Sequence, residues 1–538
     1  MKFDYVIVGG GSGGATLAAR LSENRRVSVC LLEAGGQGKH ILIRMPAGLV
    51  AMMPGYGHIS NWAFETVPQP GLNGRKGYQP RGKALGGSSA INAMVYIRGH
   101  RLDYERWVDL GCNGWDWETC LTYFKRAESH EDGANAFHGG HGPLHVAHQN
   151  SPRPISRAFV EGGISLGFPE TSDFNTGDNE GIGPYQVTQF HSVARNGERC
   201  SAAAGYLHPV LNRPNLTVLT GTHALKVRFE GRRATGVDIH RRGKTSLIEA
   251  GREVILCGGA FASPQLLQLS GVGRPDMLKR HGIAVVHDLP GVGENLQDHL
   301  DLVLSYKSHD RDMFGLAPSA LPKMIGEALQ WRKDGNGMLS SPYGEGGAFL
   351  KTLPDLAQPD IQLHFAVAIV EDHARHMRMG HGYSCHVCLL QPHSRGTVTL
   401  KDSNPLSAPA IDPGFLDDPR DLETMIRGAK MTRSIMQSQP MKLYIKEELN
   451  GVKDGMSDAD WTDIIRRRAD TIYHPVGTCK MGRDAMAVVD PNLKVHGLDG
   501  LRVVDASVMP TVVSGNTNAP TIMIAERAAE FIKTSANS

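Results

Sequence analysis

Tyr5-Val6-Ile7-Val8-Gly9-Gly10-Gly11-Ser12-Gly13-Gly14 decides the fold. The four apolar residues read as a buried strand, the glycines as a tight turn, and Ala15–Ser22 as a helix that follows at once. Gly9, Gly11 and Gly14 keep the G-x-G-x-x-G spacing, which gives a sharp turn, lets backbone approach a pyrophosphate and packs helix closely on strand. The next apolar run, Val27–Leu32, ends at Glu33, about 20 residues past the last glycine, where a carboxylate accepts from both ribose hydroxyls and repels a 2′-phosphate. An adenine dinucleotide site follows, with FAD and NAD both compatible. A second strand-to-glycine turn, Val254–Ala260, leads into the helical run Ser263–Leu269 and reads as another βα unit of one sheet, so the fold class is α/β.

The 538 residues allow two or three domains, or two built from interleaved segments. A 41% hydrophobic and 21% charged composition excludes a disordered chain, and 63 glycines without a G-X-Y period suggest many close approaches of backbone to a turn or ligand. Lys and Arg number 57 against 55 Asp and Glu, and a net charge of +2 gives no strong global field to draw nucleic acid or an anionic membrane. Eight cysteines and the lack of an apolar leader point to a reducing, cytoplasmic compartment. No apolar run reaches the ~18–20 residues that span a bilayer. Two shorter apolar stretches, Ala47–Met53 and Met313–Trp331, read as cofactor cover and core, or as peripheral membrane contacts.

Further along, Gly82-Lys83-Ala84-Leu85-Gly86-Gly87-Ser88-Ser89-Ala90-Ile91-Asn92, continuing through Tyr96 and Gly99, resembles the first signature of the glucose–methanol–choline (GMC) oxidoreductases. Gly259–Gly273 resembles the second signature and Tyr473–Gly482 the active-site segment, while Asp505-Ala506-Ser507 and Asn516–Thr521 extend the likeness to the carboxyl end. Within the family, Arg81–His100, Ile472–Gly482 and Ser514–Glu526 are most similar to bacterial alcohol dehydrogenases acting on aliphatic alcohols, then to choline dehydrogenases.

The resemblance implies a Rossmann-like FAD-binding domain made of 1–155, 194–300 and 472–538, and a sheet-plus-helices substrate-binding domain made of 156–193 and 301–471, α+β overall. It implies cofactor contacts from Gly9, Gly11, Ser12, Gly14, Glu33, Ala34, Gly82, Leu85, Gly86, Gly87, Ser88, Asn92, Ala93, Ala224, Gly258, Asp505, Ala506, Asn518, Pro520 and Thr521. Some members attach FAD through a histidine in the first signature; Ile91 stands at that place, so noncovalent FAD is expected.

The chemistry implied is oxidation of a primary alcohol to an aldehyde, with His474 taking the proton, flavin N5 the hydride, Asn518 assisting, and a quinone or other nonoxygen acceptor removing the electrons. An alcohol ionises near ~15.7 and an ordinary histidine near ~6.5, a gap of ~9 units or roughly 12 kcal/mol. Proton abstraction must therefore accompany hydride departure, or fixed donors such as the Asn518 amide must stabilise the alkoxide. Pro520 suits the first position of a helix over Thr521–Lys533, whose free N–H groups would face the reduced flavin's charge.

Other readings stay open. An oxidase reducing oxygen to peroxide would share every motif. A choline dehydrogenase would need an aromatic enclosure with a carboxylate, for which Trp331, Tyr473 and Glu345 are candidates. An NAD-linked enzyme leaves the later signatures unexplained, and His474 with Asn518 weighs against a silent flavin carrier. No metal is expected. Cys385 and Cys388 read as thiols on opposite faces of a strand, and His138, His141, His145, His148 and the segment Asp372–His376 as polar loops.

Overall fold

A computed structural model describes residues 1–316, 321–376 and 378–535, without the side chains at 316, 321, 322 and 535. The amino-terminal part runs β1 (Lys2–Val8), α1 (Ser12–Leu21), β2 (Val29–Leu32), β3 (Gly181–Pro184), β4 (Leu216–Leu219), β5 (Thr222–Glu230), β6 (Arg233–Arg241), β7 (Lys244–Leu256) and α2 (Gly259–Leu269). Then come β8 (Leu300–Ser308), β9 (Gly315–Leu316), α3 (Leu321–Asp334), β10 (Gly344–Leu350), β11 (Ile361–Ala366), β12 (Gly380–Leu389) and α4 (Pro419–Met436). The chain closes with β13 (Ile445–Glu448), β14 (Asp470–Thr471), β15 (Leu501–Val503) and α5 (Asn518–Ser535).

The first sheet has the order β4-β2-β1-β7-β6-β5, with β15 added on β7. β1 lies parallel between β2 and the end of β7, while the first part of β7 pairs antiparallel with β6. Val6, Ile7, Val29, Leu31, Val254 and Ile255 are fully buried in one core with apolar residues of α1 and α5, which is why these strands read as continuous apolar runs. The turn between β1 and α1 tolerates only glycine at position 14, where a Cβ would stand 1.9 Å from the Gly9 carbonyl oxygen. α5 packs along α1, and Arg20 pairs with the buried Glu526 at 2.8 Å.

The second sheet has the order β13-β8-β12-β11-β10-β3, with β9 on β12 and β14 on β8. Its pairings are antiparallel, and Leu302, Leu304, Leu363, Phe365, Tyr383, Cys385 and Val387 build a separate core against α4. Among the described residues no helix is long and apolar enough to cross a membrane.

Three sequence expectations change. α5 begins at Asn518, so Pro520 is its third residue instead of its first; the first four N–H groups of a helix lack intrahelical partners, so the missing donor still costs nothing. His138 does lie in a polar connecting loop but is buried there, with Nδ1 3.0 Å from Glu128 and Nε2 2.8 Å from Asp173, and Glu128 also pairs with Arg98 at 2.9 Å. Met313 is buried in the second core, but Ile325 and Leu329 of α3 are exposed; the side chains of Leu316 and Leu321 lie outside the described residues.

Candidate active site

A cleft of about 1270 Å³ runs between the two sheets. One end is built on the β1–α1 turn. Gly9, Gly11 and Ser12 line it together with Glu33, Ala34, Gly82, Gly87, Ser88, Asn92, Ala93, Ala224, Gly258, Asp505, Ala506, Asn518 and Thr521. Leu85, Gly86, Gly14 and Pro520 stand behind the lining: Leu85 is fully buried, Gly86 N–H donates to the Gly10 carbonyl at 2.7 Å, and Gly14 packs α1 on β1. Gly11 and Gly87 face each other so closely that a Cβ on Gly87 would lie 2.6 Å from the Gly11 Cα.

Glu33 ends β2 nearly buried, accepting from Gly10 N–H at 2.9 Å and Gly35 N–H at 2.7 Å, and burial raises its pKa. Each oxygen keeps acceptor capacity for a ribose hydroxyl. The bare glycine cradle, the carboxylate at the strand end and the cleft's length together fit a flavin dinucleotide. Asp505 is different. Its carboxylate accepts from Gly259 N–H, Ser263 Oγ, Ser507 N–H and Ser507 Oγ at 2.5–2.8 Å, which clamps α2 to the end of β15. With four donors engaged, any cofactor contact at 505–506 falls to backbone.

At the other end stands His474, in a segment set by Tyr473, whose φ of +74° is unusual for a bulky residue. His474 N–H donates to Asp298 Oδ1 at 2.9 Å, and its ring is held at both nitrogens. His299 Nε2 lies 3.1 Å from the Leu390 carbonyl, which can only accept, so that nitrogen carries the proton. His299 Nδ1 is then an acceptor, and His474 Nδ1, 3.0 Å away, must donate to it. The lone pair of His474 is thereby placed on Nε2. Burial, the neighbouring His299 and His364, and the Arg81 guanidinium hold its pKa well below the ordinary histidine value.

The partner of that lone pair is Asn516, a correction to the expected pairing with Asn518. Asn516 Nδ2 lies 3.1 Å from His474 Nε2 and 3.5 Å from His364 Nε2, and its Oδ1 is fixed by Gln362 Nε2 at 3.1 Å. Asn518 faces the opposite way: its Oδ1 accepts from Ser12 Oγ at 2.8 Å, tying the start of α5 to the start of α1. The two asparagines are two residues apart at the loop-to-helix junction, and a motif alone does not say which faces the histidine.

Two further expectations are corrected. Glu345 does not line the cleft; it is buried behind it, accepting from Arg153 N–H, Ser156 Oγ and Ser341 Oγ at 2.6, 2.7 and 2.8 Å. Trp331 also lies elsewhere, donating to the Gly197 carbonyl at 3.1 Å. Tyr473 does line the cleft, with its hydroxyl 2.6 Å from His373 Nδ1, and His373 Nε2 meets Asp470 at 3.0 Å. His373, expected in a solvated loop, is thus part of the wall, beside Ile369, Val370 and Ala374. His299, His364 and Asn516 were missed by sequence reasoning. The Asp298-His299 pair directly before the buried strand β8 was the available signal for His299.

Comparisons with known proteins give the family. Family models for GMC oxidoreductases match residues 3–301 and 392–525. An alcohol dehydrogenase [acceptor] of Pseudomonas putida is 47% identical over 98% of this chain and 95% of its own length. An oxygen-dependent choline dehydrogenase of Paraburkholderia xenovorans is 44% identical over 99% of this chain and 94% of its own. Among solved structures, a pyridoxine 4-oxidase from Mesorbium loti superposes with a TM-score of 0.87 at 34% identity, covering 98% of both chains. An Aspergillus oryzae formate oxidase, studied for modification of its FAD, superposes at 0.92 with 27% identity, covering 100% of this chain and 99% of its own.

Proposed function

Because the chain belongs to the GMC oxidoreductase family, we propose that it oxidises a primary alcohol to an aldehyde with His474 as the proton acceptor and Asn516 as the orienting donor. Bound FAD supplies the hydride acceptor. Ile91 lines the cleft and offers no nucleophile for a covalent link, so the cofactor is held by noncovalent contacts alone.

The observation that carries the proposal is the direct contact between the bare Nε2 of His474 and the amide of Asn516. A substrate hydroxyl that enters between them accepts from the Asn516 amide and donates to His474 Nε2, so one oxygen is positioned by two groups. His474 stays neutral until it takes the proton, because burial disfavours its charged form. The imidazolium then has His299 Nδ1 as acceptor on one side. His299 spends its own Nε2 proton on the Leu390 carbonyl, which closes that route, so the proton leaves through the cleft.

We assign the first sheet's segments, 1–155, 194–300 and 472–538, to cofactor binding and 156–193 with 301–471 to the roof. Apart from Leu300, every strand of each sheet falls inside its own set of segments.

The substrate we propose is an uncharged chain alcohol. Among the described residues the carboxylates lining the cleft are Glu33, Glu65 and Asp505; Glu33 and Asp505 belong to the glycine end, and Glu65, itself exposed, stands opposite the buried Tyr78 in a two-stranded pairing. Away from the glycine end the lining includes Val95, Ala366, Ala368, Ile369, Val370 and Tyr343 together with His364, His373 and His386, and Asp301 is taken by His386 at 2.6 Å. A quaternary ammonium would find no free carboxylate among these. Electrons pass to a quinone or other nonoxygen acceptor in this reading. An anaerobic panel of alcohols read by bleaching of the yellow flavin, followed by air, tests both parts. Bleaching by chain alcohols but not choline, with little peroxide on aeration, is the expected result; fast bleaching by choline or stoichiometric peroxide overturns it.

We also place the protein in the cytoplasm, in peripheral contact with a membrane. Supporting this, all eight cysteines are free, and the exposed Ile325 and Leu329 on α3 are accompanied by exposed Lys323, Arg332 and Lys333. Co-flotation with anionic vesicles, lost in Ile325→Glu/Leu329→Glu, is expected; a wild-type protein that stays at the bottom of the gradient removes the membrane from the account.

A further inference from the structure

A second cavity of about 330 Å³ lies between the segments 38–44 and 194–208. Its polar lining is dominated by cations: Lys39, Arg44, Arg195 and Arg199, with His208, face a single carboxylate, Glu198. Glu198 is shared, pairing with Arg44 and with Arg195 Nε at 3.0 Å. One negative charge therefore answers four permanent positive ones.

Arg199 is the least satisfied of them. It is 1% exposed, Nε donates to the Ile43 carbonyl at 2.9 Å, and Nη1 donates to the Asn92 carbonyl at 2.6 Å and to Asn92 Oδ1 at 2.8 Å. Nη2 is buried without a partner. No carboxylate offsets the charge, and burial alone pushes the guanidinium pKa down to about 9. An unpaired buried cation is costly, and a chain that keeps one has a use for it or a counter-ion to cover it. The counter-ion is not the cofactor's pyrophosphate, because Arg199 does not line the large cleft.

We propose that this cavity is a binding site for inorganic phosphate. A guanidinium fork matches a tetrahedral oxyanion, a ring of cations focuses negative potential into a small concavity, and a dianion balances the surplus charge better than a monovalent ion. The cavity is also larger than a halide requires. Bound phosphate would join the 38–44 segment to the 194–208 segment through the accessible Lys39, Arg44 and Arg195, with the buried Arg199, which also holds Asn92 of the cofactor cleft, adding its uncompensated charge from the wall beneath.

The test is equilibrium dialysis of flavin-loaded enzyme against radiolabelled inorganic phosphate at constant ionic strength, with thermal midpoints measured in parallel. Lys39→Gln and Arg195→Gln are the variants of choice, because neither side chain lines the cofactor cleft. Saturable binding of about one phosphate per chain is expected, weakened at least about tenfold in each variant while flavin content is unchanged. No saturable binding to the wild type, or equal binding by the wild type and both variants, overturns the proposal.

Discussion

His474 is pinned at both ring nitrogens, and that double constraint sets what substitution should do. Removing its imidazole takes away the proposed proton acceptor, and His474→Ala is expected to slow anaerobic bleaching by alcohol at least ~100-fold, the lower end of general-base catalysis. Asn516→Ala removes one orienting donor and is expected to cost roughly 10–100-fold in the same assay. Asn518→Ala removes the bond to Ser12 at the start of α1, so its effect belongs in flavin retention, with the bleaching rate of loaded enzyme changed by less than about threefold. Equal rate losses in Asn516→Ala and Asn518→Ala would show that both asparagines serve the reacting hydroxyl. The pairing could not be read from Asn516-Thr517-Asn518, because both asparagines fit the same loop. Only the turn into α5 rotates one toward His474 and the other toward Ser12.

The β1–α1 turn shows how an element makes a cofactor site out of missing side chains. At Gly14 a Cβ would collide with β1's own backbone, whereas at Gly11 the nearest atom to a Cβ is the Gly87 Cα at 3.8 Å, an ordinary contact. Gly11 has φ −74°, a value alanine adopts without strain. Gly11→Ala is therefore expected to fold with near-native circular dichroism but to purify without yellow colour, because its methyl occupies the space a pyrophosphate needs. Gly14→Ala should instead lower soluble yield, an overpacking effect of about 1–3 kcal/mol or more. A yellow Gly11→Ala protein would move the pyrophosphate elsewhere. This unit was legible in the sequence since strand, turn and helix are contiguous. The carboxylate pocket suggested for Glu345 was not, because whether a residue on β10 faces the cleft or the layer behind it depends on register.

For the whole molecule, the buried neutral histidines couple folding to pH. Burial pushes His299 to about 4 and His364 to about 3, and it holds His474 well below the ordinary value. In the unfolded chain each titrates near ~6.5, so below that pH the unfolded state binds more protons and stability falls as pH falls. Each such group contributes roughly 1.4 kcal/mol per pH unit between ~6.5 and its folded value, and above ~6.5 the contribution is fully present. Urea unfolding midpoints are expected to decline from about pH 6.5 downward, earlier than carboxylate titration alone would give. A flat midpoint between pH 6.5 and 5 would mean that these rings are charged in the folded protein.

Contiguous sequence made the nucleotide-binding strand–turn–helix, the family and the candidacy of His474 legible, because each rests on a motif of residues adjacent along the chain. Tertiary structure alone decided that Asn516 and not Asn518 meets the histidine, that His299 fixes its tautomer from β8's edge, that His373 walls the cleft and that Arg199 is left unpaired. Those facts depend on the approach of segments about a hundred or more residues apart, or on the direction a side chain takes at one turn, and neither is encoded in local pattern.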